Sequence, residues 1–390
     1  MIRKIYLDNQ ATTPVNKAVV KAMKPYWYKN FGNPSSITRI GLLSRRALNQ
    51  ARNVVAKVLA RRANEIVFTG SGTESNNLAI FGVLNFLQKQ NLIIADCHFL
   101  TTEIEHSSVL ECFKEIERRG GQVTYLPVLS SGLIDLKELR KNLKSNTVLV
   151  SIGYANNEIG VIQPIREIAK EIRFARKNNK FENLGQYPYF HTDASQAGLY
   201  LDLNINQLGV DLLTLDGQKI NGPKGVGVLF VSSGLNLSPI ILGGGQENGW
   251  RSGTENLPLI IGLAKALELA RHNFSFQAQK VAKVRDYFWL RLKTEFPSLV
   301  LNGGIENRLP NNLNVSWPGQ DSEFLVLRLD ERGIVCSTKS ACNHDAEESF
   351  VVQALGGSNE IVRSAVRFSL SPSTSKRDID YVIKVLKKLI

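Results

Sequence analysis

The 390-residue chain has no apolar run long enough to span a bilayer. Its opening residues, Met1-Ile2-Arg3-Lys4, are not followed by the apolar core of a secretory signal. Together these absences predict a cytoplasmic protein. Cysteine is scarce: Cys97, Cys112, Cys336 and Cys342 are the only four. No two stand in a C-x-x-C pair, which argues against a zinc site, and no metal is expected. A long cytosolic chain is not expected to carry a disulfide framework either. One of the four thiols is then available as a nucleophile. Internal repeats and low-complexity tracts are also missing. The excess of 48 basic over 35 acidic residues gives a net charge of +13. Those basic residues lie in short groups such as Arg45-Arg46, Arg61-Arg62 and Lys387-Lys388. Aromatic residues do not interleave with them, as a base-stacking platform requires. We therefore read a solvated basic surface and expect no direct nucleic-acid binding.

What is present is a long alternation of short apolar runs with amphipathic stretches. Strands are predicted at residues 65–69, 92–95, 99–102, 123–126, 147–154, 189–192, 211–215 and 226–231. Helices are predicted from Pro14 toward Tyr28, and at 42–59, 108–119, 136–143 and 165–178. Such alternation implies a mostly parallel sheet covered by helices on both faces, an α/β fold. Ligands of such sheets sit beyond the carboxyl ends of the strands. Thr69–Thr73, Glu103–His106, Asn156–Glu158, Asp193–Gln196 and Asp216–Lys219 all fall there. Residues 177–189 are polar and irregular and read as a surface insertion. Beyond Arg251-Ser-Gly-Thr, long helices are predicted at 257–271 and 277–295. A smaller α+β unit follows, with strands near 312–316 and 365–370 and helices at 323–331, 346–355 and 378–390. The division expected is a large domain over 14–256 and a small one made of 1–13 and 257–390.

Within this frame, Lys219 closes one strand and Asp193 closes its neighbour. An amine and a carboxylate so placed suit pyridoxal 5'-phosphate: the lysine binds the aldehyde, and the carboxylate keeps the pyridine nitrogen protonated. For the pair standing alone, a loop lysine in water and an aspartate capping a helix would be the better reading. The turn Thr69-Gly-Ser-Gly-Thr73 opens a helix whose backbone N–H groups suit a phosphate, or are merely capped by serine.

The motifs, in order, are Tyr6-Leu-Asp, Phe31-Gly-Asn-Pro-Ser-Ser, Thr73-Glu-Ser-Asn-Asn-Leu-Ala and Glu105-His106. They continue with Asn156-Asn-Glu-Ile-Gly, His191-Thr-Asp-Ala-Ser-Gln, Gly222-Pro-Lys-Gly, Gly243-Gly-Gly-Gln-Glu, Arg251-Ser-Gly-Thr, Ser340-Ala-Cys and Arg367-Phe-Ser-Leu. At this spacing the chain resembles the cysteine desulfurases of the class V aminotransferase superfamily, NifS- and IscS-like enzymes. The resemblance implies a pyridoxal-phosphate-dependent transferase fold of the aspartate aminotransferase type. It also implies conversion of L-cysteine to L-alanine through a persulfide on Cys342. The sulfur then passes to an acceptor for iron–sulfur cluster assembly or tRNA thiolation.

By the same resemblance Lys219 holds the cofactor and moves the substrate proton, Asp193 pairs with the pyridine nitrogen, and Gln196 contacts the ring hydroxyl. His106 stacks on the ring and assists proton transfer. Gly72 and Thr73 bind the phosphate, and Thr254 reaches the phosphate of a neighbouring subunit, so a homodimer is expected. Arg367 holds the substrate carboxylate, and Asn157 contacts substrate or ring. Cys97 and Cys112, in apolar surroundings, read as structural. Cys336 reads as buried, with a redox role open to it.

Two positions depart from the family pattern Ser-Gly-His-Lys: Asp216 and Gln218 stand where serine and histidine are usual. Asp216 would set a carboxylate against the cofactor phosphate, so weaker cofactor binding is expected. Asn9-Gln10 also departs from the usual pair. Three other readings use the same residues. One is a degenerate, partner-binding homologue. Another is a related lyase acting on selenocysteine or cysteine sulfinate. The third is a transaminase in which Cys342 has no part.

Overall fold

The computed structural model describes residues 4–181, 187–338 and 348–390. Among the described residues, twelve strands form three sheets. They are β1 (Ile5–Tyr6), β2 (Ile66–Thr69), β3 (His98–Thr102), β4 (Gln122–Leu126), β5 (Thr147–Ser151), β6 (Tyr189–Asp193), β7 (Leu212–Asp216), β8 (Gly227–Val231), β9 (Val300–Leu301), β10 (Asn312–Ser316), β11 (Ile334–Val335) and β12 (Ala365–Ser369). The large sheet has seven strands in the order β2-β8-β7-β6-β5-β3-β4. Its pairs from β7 to β4 are parallel. Strand β8 alone runs against its neighbours β7 and β2.

Both faces of this sheet are buried, which is why its strands read as continuous apolar runs rather than alternating ones. In β7, Leu213 and Leu215 join a core with the helices Arg39–Val58 and Leu257–His272, while Leu212 faces the opposite core. That second core is built on the helices Gly72–Lys89 and Ser107–Arg118. In β8, Val228 and Phe230 face one core, and Leu229 and Val231 the other.

The remaining sheets belong to a separate, third hydrophobic cluster. Strands β12, β10 and β9 pair antiparallel and are covered by the helices Phe274–Glu295 and Lys376–Leu389. Phe288 and Trp317 meet Phe368 edge-on, with ring centroids 5.1 and 6.3 Å apart. Strand β1 pairs with β11, so the start of the chain joins this second unit. The helix Leu257–His272 packs with the large-sheet core through Leu257, Ile260, Leu263 and Leu267. We therefore propose that the two units part between this helix and the next, later than residue 256.

Several local expectations need correction. Residues 92–95 form no strand; a single 3-10 turn, Ile94–Asp96, leads into β3. A short apolar run carries no periodicity to separate strand from turn. The first helix does not begin at Pro14 but at Lys17, where the Asn16 side chain accepts from Ala18 N at 2.8 Å. It is a short helix, and a second one, Pro25–Tyr28, follows it. The irregular segment is not all surface: Phe181 and Tyr187 are buried in the second core. The helix expected at 346–355 spans Phe350–Ala354, capped by Ser349, and residues 346 and 347 lie outside the described residues. Among the described residues no helix is long and apolar enough to cross a membrane.

Candidate active site

The carboxyl ends of β2, β3, β5, β6 and β7 share one edge of the large sheet, and a cavity of about 270 Å³ opens there. Its wall includes Gly72, Thr73, His106, Asn157, Asp193, Gln196, Asp216, Gln218, Lys219 and Arg367. All ten were expected at the site from sequence. Thr254 is exposed and is not part of this wall. Cys342, with Lys339 and His344, lies outside the described residues.

Lys219 ends the 3-10 turn that follows β7. Its Nζ donates to the carbonyls of Gln10 and Ala11 at 2.8 and 2.7 Å. Asp193 ends β6. Its Oδ1 accepts from Ser195 N at 2.9 Å, and its Oδ2 accepts from Asn76 Nδ2 at 2.8 Å. The same amide donates to Ser108 Oγ at 2.8 Å, and Ser108 Oγ lies 2.7 Å from His106 Nδ1. His106 caps the helix Ser107–Arg118, and its Nδ1 accepts from Ser108 N at 3.1 Å. A backbone N–H can only donate, so Nδ1 is the acceptor. The proton of the neutral ring is thereby placed on Nε2. One chain of hydrogen bonds thus joins Asp193 to His106.

Sequence reasoning named no role for Asn76 or Ser108. The signal was present for Asn76, which lies one helical turn beyond Gly72 and Thr73 on the same face.

Glu105 is buried beside His106. Its carboxylate accepts from Gly153 N at 2.9 Å and from Thr102 Oγ1 at 2.7 Å. Burial nevertheless dominates and pushes its pKa up to about 7, with those hydrogen bonds opposing.

The turn before the helix Gly72–Lys89 is seated by close packing. A Cβ on Gly227 would lie 2.5 Å from the Ser71 carbonyl carbon, so only glycine lets β8 pass there. Glu247, in the Gly243-Gly-Gly-Gln-Glu motif, ties its loop to this edge. It pairs with Arg52 through two bonds of 2.6 and 2.7 Å and accepts from Phe68 N at 2.8 Å.

Arg367, on β12, enters the cavity from the second unit and is 1% exposed. Its Nη2 donates to Asp8 Oδ1 at 2.8 Å and to Ser337 Oγ at 2.6 Å, and its Nη1 to Asn157 O at 2.8 Å.

The residues present fit pyridoxal phosphate at the ring end, where an amine, a fixed carboxylate and an imidazole line one space. The phosphate end has a helix N-terminus and a tight cradle: a Cβ on Gly72 would lie 3.2 Å from both Ser195 Oγ and Asp216 Oδ2. Asp216 also takes a hydrogen bond from Gly72 N, so this cradle already faces a carboxylate.

The chain matches the family model described as aminotransferase class-V over residues 5–382. It is 41% identical to the cysteine desulfurase IscS of Dictyoglomus turgidum, covering 100% of this chain and 95% of that one. It is 42% identical to the cysteine desulfurase IscS of Methanosarcina thermophila, covering 100% and 92%. A solved NifS-like protein superimposes with a TM-score of 0.90 at 34% identity, covering 99% of each chain. A NifS-like protein from Rickettsia africae gives 0.85 at 30% identity, again over 99% of each. The fold and the length of these matches place the chain in the class-V aminotransferase family, which depends on pyridoxal phosphate, and within its cysteine desulfurases.

Proposed function

We propose that this protein is a cysteine desulfurase that converts L-cysteine to L-alanine and leaves the sulfur on Cys342 as a persulfide. The observation that carries this reading is the meeting of Lys219, Asp193, His106 and Arg367 around one cavity. Bound pyridoxal phosphate supplies an electron sink that makes the substrate Cα proton removable. Lys219 would hold the cofactor and would move that proton. Asp193, fixed by Asn76 and Ser195 N, would pair with the pyridine nitrogen, and Gln196 with the ring hydroxyl. His106 presents Nε2 as its donor nitrogen. Gly72 and Thr73 take the phosphate. Arg367 and Asn157 orient the substrate carboxylate. The Cys342 thiolate attacks the substrate sulfur; the Cβ–S bond breaks, a proton replaces sulfur on Cβ, and alanine leaves. The persulfide sulfur then passes to an acceptor protein of iron–sulfur assembly or tRNA thiolation.

The working unit is a homodimer, in which Thr254 serves the partner's phosphate site. Trp27, Tyr28, Phe31 and Ile37 support this, because these large apolar side chains near the start of the chain are all exposed. Leu242, beside the loop that leads to Thr254, is 81% exposed. Light scattering should give twice the chain mass; a monomer at micromolar concentration would refute the dimer.

The reaction itself is tested by the visible spectrum of the cofactor-loaded protein before and after L-cysteine, with alanine and sulfide assayed together. A band that changes on addition, with both products formed, supports the desulfurase. Lys219→Ala should abolish the band, and Cys342→Ser should keep it while losing both products. A band that changes with L-cysteine equally in wild type and Cys342→Ser, with neither alanine nor sulfide formed by either, would point to a transaminase instead. If no band forms with added pyridoxal phosphate, Asp216 has closed the site and a partner-binding homologue is the better description.

A further inference from the structure

Two buried donors in the cavity wall have no acceptor among the described residues: Gln10 Nε2 and Arg367 Nε. Each residue is 1% exposed and lines the cavity, so a group bound in the cavity is the partner still to be supplied.

Gln10 is held firmly at every other polar atom. Its N–H donates to Ser369 Oγ at 3.0 Å, and its carbonyl accepts from Lys219 Nζ at 2.8 Å and Gln196 Nε2 at 3.1 Å. Its Oε1 accepts from Asn312 Nδ2 at 2.6 Å. The sense of that last bond is fixed from outside. Asn312 Oδ1 accepts from Arg308 Nη1 at 2.8 Å, and a guanidinium can only donate. Asn312 therefore offers its Nδ2 to Gln10. Turning the Gln10 amide over would set two NH2 groups against each other. Nε2 is locked as the outward donor.

Arg367 has both terminal nitrogens engaged by Asp8, Ser337 and Asn157. Asp8 also offsets its charge. A carboxylate has two oxygens, and the Nε–H of Arg367 answers one of them.

We propose that Gln10 is a specificity-determining residue whose Nε2–H binds the second oxygen of the substrate α-carboxylate, beside Arg367 Nε–H. This rests on the reading of the cavity as an amino-acid site.

The test uses the cofactor-loaded enzyme and two variants. Gln10→Leu removes the donor, and Gln10→Glu keeps the acceptor for Asn312 while setting a repelling oxygen at Nε2. Calorimetry measures the affinity for L-alanine, kinetics give KM and kcat for L-cysteine, and cysteamine, which lacks the carboxylate, is used as an inhibitor. Loss of a hydrogen bond to a charged group should weaken L-alanine and raise KM by about tenfold or more in both variants. The kcat should stay within about threefold, the signature of lost uniform binding. Cysteamine inhibition should not change. L-alanine affinity held within about twofold in both variants overturns the proposal, on the fold-changes expected above. Cysteamine weakened as much as L-alanine overturns it too, since that marks a merely structural role. If Arg367→Lys weakens L-alanine while both Gln10 variants do not, the amino-acid site stands and only the Gln10 proposal falls. A wild-type protein that binds L-alanine no better than cysteamine overturns both.

Discussion

The carboxylate of Asp216 takes a hydrogen bond at 3.3 Å from the backbone N–H of Gly72, the first residue of the helix Gly72–Lys89. Two more donors hold it: Gln218 N reaches Oδ1 at 3.1 Å, and Gln218 Nε2 reaches Oδ2 at 3.2 Å. The helix N-terminus that suits a phosphate thus already has an anion of the protein's own. Two anions at one set of donors repel, and Asp216 must turn away for a phosphate to settle. Asp216→Ser should therefore tighten pyridoxal phosphate binding by about tenfold or more. Equilibrium titration of the visible band measures this. Equal or weaker binding in the serine variant would contradict it.

A second prediction concerns pH. Glu105 has its pKa raised to about 7 because burial disfavours the charged carboxylate. Between the ordinary carboxylate range and pH 7 the folded protein holds a proton that the unfolded chain has released. Stability from this group is therefore fully present below that range, falls as pH rises toward 7, and is level above it. Glu105→Gln should remove this component, changing the stability gap between variant and wild type by about 1–3 kcal/mol from pH 4 to pH 8. Chemical denaturation at the two pH values measures the gap. A constant gap would show that folding leaves the Glu105 pKa where it stands in the unfolded chain.

The cysteines should separate by reactivity. Cys97, Cys112 and Cys336 are buried. Burial pushes the thiols of Cys97 and Cys112 up to about 11 and about 12, and raises that of Cys336 as well. Thiols so placed are poor nucleophiles at neutral pH. Limited iodoacetamide followed by peptide mass analysis should label Cys342 first, with loss of sulfide production in step. Cys336→Ser should keep most of the activity. Early labelling of Cys336 would revive a redox role for it.

The ion pair of Arg367 with Asp8 is an almost fully buried guanidinium matched to a carboxylate at 2.8 Å, with side-chain exposures of 1% and 15%. Removing one partner leaves a buried charge unanswered, which costs about 3–5 kcal/mol. Asp8→Ala should lose stability on that scale in urea denaturation. A loss under about 1 kcal/mol would mean that the pair behaves as a surface one.

Much of this was legible in the chain itself, and the reasons are local. Leu212, Leu213 and Leu215 announce a strand buried on both faces, and Asp193 and Lys219 stand where such strands end. Glu105-His106 follows β3 directly. The residues that escaped notice have partners far away in sequence. Asn76 meets Asp193 across 117 positions, and Gln10 meets Asn312 across 302. Composition and periodicity carry no record of such pairs. Glu247 stood out only as part of a glycine-rich motif; its pairing with Arg52 becomes visible once β2 is laid beside β8. Residues 92–95 misled because a run of that length satisfies strand and turn alike.

Residues 8–10 are held by the far end of the molecule: Asn9 N and Nδ2 donate to Ser369 O at 3.3 and 2.8 Å, and Gln10 N to Ser369 Oγ. The carbonyls of Gln10 and Ala11 in turn hold Lys219. A nascent chain has made Lys219 and Asp193 long before it has made β12. While it is still on the ribosome, the lysine lacks the collar that aims it. The placement of Lys219 therefore depends on contacts that are complete only when β12 has been made.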